Sequence, residues 1–114
     1  MVDWKAYREE LLGNVGELAR LAPDSVGAYT QASGATTGQL DEKTRQLIAL
    51  AVAVTTRCDG CISVHSREAV NAGASREEIA EALGVAMSLN MGAALVYSSR
   101  ALNAATSFGA ENKG

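Results

Sequence analysis

The chain holds two cysteines and one histidine, and all three fall within eight residues. Cys58 and Cys61 are separated by Asp59 and Gly60, and His65 follows Cys61 by four positions. On the first turn of a helix, residues three apart lie side by side. Two sulfurs placed so can close a disulfide with little backbone movement. A helix start also supplies free amides and the positive end of the helix dipole, which stabilise a thiolate, the reactive form of cysteine. His65 shares a helix face with Cys61. Its imidazole can accept a thiol proton or stand as an imidazolium beside a thiolate. Gly60 allows a sharp turn into the helix and leaves the sulfurs accessible. The chemistry these residues support is thiol–disulfide redox exchange.

Other readings of the same residues stand beside this one. Free cysteines are often small buried core residues. Cys58, Cys61 and His65 supply three zinc ligands where a closed site needs four, and the chain has no second CxxC or His pair, so the expectation is no metal and no cofactor unless subunits share a site. His65 can equally be a surface residue or a hydrogen-bonded core residue. A thioredoxin fold is not expected, because it needs a strand before the CxxC and a long apolar helical segment stands there instead.

The elements that must position these residues read as helices. Trp4, Tyr7, Leu11, Val15, Leu18 and Leu21 recur at three- and four-residue steps along Asp3 to Leu21. Pro23, the only proline, stands where a helix start tolerates it, and a short second helix is expected to about Ser33. Residues 33–38 read as a Gly- and Thr-rich loop. Asp41 is a suitable cap for a third helix carrying Leu47, Ile48, Ala51 and Val54. Ala49, Leu50 and Ala53 make its other side apolar, so it is expected to be buried nearly all round. Residues 51–56 have strand character in isolation, but the helical pattern begins ten residues earlier. After a break at Asp59-Gly60, the positions Cys61, Val64, His65, Glu68, Ala69 and Ala72 give a fourth helix, closed by Gly73. Ser75 and Glu78 form a capping box for a helix lined by Ile79, Leu83, Ala86, Met87 and Asn90. Gly92 suggests a break or a close contact before a last helix with Leu95, Tyr97, Ala101, Leu102 and Ala105, and residues 109–114 a frayed tail. The expected architecture is all-α, with about six helices in a single domain spanning 1–114.

Composition bounds the rest. The chain has 114 residues, 47% hydrophobic and 20% charged, a globular balance. Net charge is −3 and the basic residues are scattered, so no nucleic-acid partner is expected. Charged residues at 3–10 argue against a signal peptide, and no stretch reads as long enough for a membrane span. A cytoplasmic location is expected, where thiols are kept reduced and a CxxC is more useful as a working pair than as a staple. A small core with many apolar helix faces also implies contacts between subunits.

Residues 40–106 resemble the carboxymuconolactone decarboxylase superfamily, in particular its alkylhydroperoxidase D-like branch. The match is carried by Leu40-Asp41-Glu42-Lys43, the run Leu47 to Ala53, the segment Cys58 to His65, and Ala72 to Ile79. The resemblance implies an all-helical fold assembled as homotrimers or homohexamers. It implies reduction of a peroxide or disulfide substrate through the CxxC, with a dithiol reductant, lipoyl or thioredoxin-like, restoring the thiols. Cys61 is then the attacker on peroxide, and Cys58 resolves the sulfenic acid to a disulfide. The family places a proton-relay Glu twelve residues before the first cysteine, and here that position is Gln46. An amide orients groups by hydrogen bonding but cannot take up a proton near neutral pH. Glu42, one turn earlier on the same face, is a weaker stand-in; the alternative role is a solvated first-turn charge favouring the helix dipole. Non-redox decarboxylation and a non-catalytic redox-sensing module are the rival functions. Ser63, Ser66, Glu68, Tyr97, Met87 and Met91 are minor candidates, better read as local bonding or packing.

Overall fold

A computed structural model describes residues 1–112. It is all-α: α1 Trp4–Leu21, α2 Pro23–Gly34, α3 Glu42–Thr55, α4 Asp59–Asn71 and α5 Arg76–Ser107. No strand occurs among the described residues. Helix α3 is the hub, packing on both α4 and α5, while α1 packs on α2 and α4.

The helix ends follow the side chains that cap them. Asp3 accepts the Ala6 amide at 3.1 Å to open α1, and Asp41 accepts the Thr44 amide at 2.7 Å to open α3. The Asp41 carboxyl is held below the usual range, chiefly by that bond. Pro23 occupies the first turn of α2, where its missing N–H costs nothing. Ser75 and Glu78 exchange reciprocal 3.0 Å bonds as a capping box at the start of α5. Glu78 also reaches Lys43 on α3 at 2.7 Å, which ties α5 to α3 and holds the Glu78 carboxyl low.

Two short links flank α4, and both close with the same geometry. After α3, Arg57 adopts a left-handed φ of 55°, its N–H reaches the Val54 carbonyl, and the Cys58 N–H reaches the Ala53 carbonyl at 3.1 Å. After α4, Gly73 has φ 90°, and the Ala74 N–H reaches the Ala69 carbonyl at 2.9 Å. Both are Schellman closures. The left-handed residue before the CxxC is therefore Arg57 and not Gly60, which corrects the expected role of Gly60 as the turn.

The other differences from expectation concern the last helices. Gly92 does not break the chain, and the two expected terminal helices are one continuous α5 of 32 residues. A single mid-helix glycine costs only about 1 kcal/mol, and the flanking Met, Ala and Leu residues favour helix. That continuity also makes α5 long and apolar enough to cross a membrane by length and composition, which the expected break had hidden.

Burial is sparse. Leu50 and Ala53 of α3, Ser63 and Ala69 of α4, and Ala86 of α5 are the buried residues. Helix α3 is thus not covered all round: Ile48 and Val52 stay about half exposed. From Met87 onward the large apolar side chains of α5 are open, including Leu89, Met91, Leu95, Val96 and Leu102. The radius of gyration is 19.5 Å, against about 13 Å for a compact domain of roughly this size.

Candidate functional site

The site forms where α3 ends and α4 begins, and Cys58 belongs to both helices. Its backbone N–H closes α3, as described above. Its side chain is the N-cap of α4: Cys58 Sγ accepts the Cys61 N–H at 3.1 Å. One residue therefore terminates one helix and starts the next, which fixes the sulfur against free amides. The thiols are reduced, and both cysteines are half-buried. The Cys61 thiol is pushed up, first by its hydrogen bond to the Cys58 side chain, then by burial and by repulsion from Cys58. The two sulfurs are thus placed differently, Cys58 Sγ alone accepting a helix-start amide.

Gly60 has a packing role. A Cβ built there meets the Leu11 side chain at 3.2 Å and the Cys58 sulfur at 4.0 Å. The missing side chain lets α1 lie directly against the first turn of α4. Sequence periodicity placed Leu11 on an apolar face but gave no sign that it meets Gly60. Ser63, buried on the next turn, donates to the Gly60 carbonyl at 2.8 Å, the local bonding expected of it.

Gln46 and His65 are brought together from 19 positions apart, with Gln46 Oε1 2.8 Å from His65 Nδ1. Gln46 Nε2 donates to Glu42 Oε1 at 2.8 Å. This chain fixes every donor. A carboxylate only accepts, so the amide nitrogen of Gln46 faces Glu42 and its oxygen faces the imidazole. An amide oxygen also only accepts, so Nδ1 of His65 carries the proton. In the neutral ring the free lone pair is then on Nε2. Glu42 itself is exposed and also pairs with Arg45. Its place is that of an exposed first-turn charge, and it also orients the Gln46 amide, a contact the sequence reading did not foresee. Among the described residues no hydrogen bond joins His65 to either sulfur. Nor does any cluster of three or more His, Cys, Asp or Glu side chains offer a metal site.

The minor candidates lie elsewhere. Tyr97 is exposed on α5 with the Arg100 guanidinium 4.9 Å from its ring centre, so it neither lines a pocket nor packs in the core. Met87 and Met91 are exposed as well.

Comparison with known proteins agrees with this architecture. The model of the carboxymuconolactone decarboxylase family matches residues 23–104. A carboxymuconolactone decarboxylase family protein from Legionella pneumophila, known from a crystal structure of its apo form, superposes with a TM-score of 0.71 and 33% identity, covering 94% of this chain and 97% of that one. An uncharacterized protein of Haemophilus influenzae is 54% identical over 90% of this chain and 92% of its own length. A second uncharacterized protein, from Cupriavidus necator, is 32% identical over 88% and 90%. A family match over most of the chain, joined to an all-helical fold shared almost end to end, places this protein in the carboxymuconolactone decarboxylase family.

Proposed function

We propose that the protein is a thiol-dependent oxidoreductase of the alkylhydroperoxidase D type. Cys58 and Cys61 cycle between dithiol and disulfide, reducing a hydroperoxide or a disulfide. The observation that carries this reading is the first turn of α4. One sulfur is held there as the acceptor of a helix-start amide, with the second cysteine on the same turn.

In the peroxide half-reaction, Cys61 must first lose its proton, and its thiol is held above the ordinary range. Nε2 of His65, free because Nδ1–H is committed to Gln46, is the base available on the same helix face. The Cys61 thiolate attacks the distal peroxide oxygen and the O–O bond breaks. The alkoxide takes up the proton and leaves as an alcohol, with Cys61 now a sulfenic acid. Cys58 displaces water from that sulfenic acid to form the disulfide, and a dithiol partner returns two electrons and two protons. In the disulfide half-reaction the roles reverse. Cys58 is the attacker on an incoming disulfide, and Cys61 closes the ring by expelling the mixed-disulfide partner. Gln46 orients His65 but stores no proton, so the disulfide reaction is favoured over the peroxide one.

The test is turnover of cumene hydroperoxide and of a small disulfide, each with a dithiol reductant. Cys58→Ser and Cys61→Ser should each abolish cycling. Full turnover by either variant would overturn the reading. Gln46→Glu should raise the peroxide rate and leave the disulfide rate nearly unchanged, because it adds a group able to take a proton where only the peroxide branch needs one.

A further inference from the structure

Helices α1 and α4 line an open cleft of about 560 Å³. Its size falls in the range of small-molecule sites. The walls are Trp4 from α1 and Ile62 and Val70 from α4, so most of a ligand's contact there is apolar. Three cations line it, Lys5 and Arg8 from α1 and Arg67 from α4, with Glu9 as the opposing charge on the lining. Arg67 is partly neutralised by Glu68 at 3.3 Å. Three cations against two carboxylates leave one positive charge. Arg8 is half-buried on the lining, its Nε turned inward and without an acceptor. A carboxylate is the partner a guanidinium takes best, here through the terminal nitrogens.

We propose that this cleft binds a small apolar carboxylate, its head group on Arg8 and its hydrocarbon against Trp4, Ile62 and Val70. A single residual charge suits a monoanion better than a phosphate dianion, and the apolar walls suit an alkyl chain better than a polar acid. The site does not depend on the redox reading. It shares α4 with the cysteines but uses none of the sulfurs.

Trp4 is the only tryptophan, so its fluorescence reports occupancy directly. The probe is decanoate below its micelle concentration, with decanol as the neutral control, added to the native assembly. The expected result is a saturable shift in Trp4 emission with decanoate bound at least tenfold tighter than decanol. Arg8→Gln should remove that preference with helix content by circular dichroism unchanged, and Arg8→Lys should restore part of it. A Cys58→Ser/Cys61→Ser double variant should bind as tightly as the native protein, so loss of redox activity and loss of this site are read separately. An equal response to decanol, no response to either, or a helix of a second copy filling the cleft in a structure of the assembly would each overturn the proposal.

Discussion

The α3–α4 junction and the distal half of α5 are both helical and both apolar, yet they are held in opposite ways. At the junction, main-chain closures, a sulfur cap and a three-residue polar chain from Glu42 to His65 leave few groups without partners. Beyond Ala86, α5 offers open apolar side chains, and among the described residues the helix packs only on α3. Local hydrogen bonds thus specify the site within one chain. The distal helix has its backbone satisfied but its side chains uncovered. A 32-residue helix in water draws most of its stability from tertiary packing of an apolar face, so that face needs a cover.

If the junction is a working centre, its largest sensitivity after loss of a sulfur is to loss of the base. His65→Gln should lower peroxide turnover by about 10²- to 10⁴-fold, the usual worth of a positioned general base. Disulfide exchange through Cys58 should fall much less. Equal loss in both assays would show that His65 holds the helix and does not move the proton.

The distal helix is tested by giving it charge. If second copies of the chain cover that face, light scattering on the native protein should report a mass several times 11.8 kDa. Leu95→Glu with Leu102→Glu should dissociate that assembly, because each leucine buried at an interface contributes about 1.5–3 kcal/mol. A native mass of one chain in detergent-free buffer would break the comparison, since α5 would then be stable uncovered.

Much of the junction was readable in the residues. Asp41, Ser75 with Glu78, and Gly73 announce helix ends by chemistry that acts within four positions, and each stands at the end it announced. Cys58 and Cys61 were likewise a local pattern. What spacing alone withheld was long-range or one-sided. Gln46 meets His65 across 19 positions, which only the family resemblance hinted at. The close approach of Leu11 to Gly60 depends on how α1 docks. Arg57 takes a left-handed turn that glycine usually takes, so the eye goes to Gly60 instead. For α3 the apolar pattern predicted burial nearly all round, and the structure leaves Ile48 and Val52 half exposed, because periodicity gives the helix and its apolar faces but not what packs on each.

A smaller effect separates the two regions by pH. Asp41 and Glu78 have carboxyls held low by their caps and by Lys43, so the stability they contribute is present above the ordinary carboxylate range. It is lost as pH falls through about 4 and below, because the unfolded chain then binds protons more readily than the folded one. Asp41→Asn keeps a cap and removes the titration, so its melting temperature should fall less steeply between about pH 5 and pH 3 than that of the native protein. An identical slope would mean that the α3 cap does not govern acid unfolding.

Gly92 offers the finest probe of the distal helix. It lies mid-helix, and a Cβ built there meets nothing within 4 Å in the single chain. Gly92→Ala should therefore stabilise the protein by about 0.5–1 kcal/mol through reduced freedom of the unfolded chain. Chemical denaturation at constant protein concentration measures it. A loss of similar size would require a neighbouring backbone packed against Gly92, since only close approach makes a methyl group unwelcome in open space. The sign of that small change would then show whether anything packs tightly on α5 at Gly92.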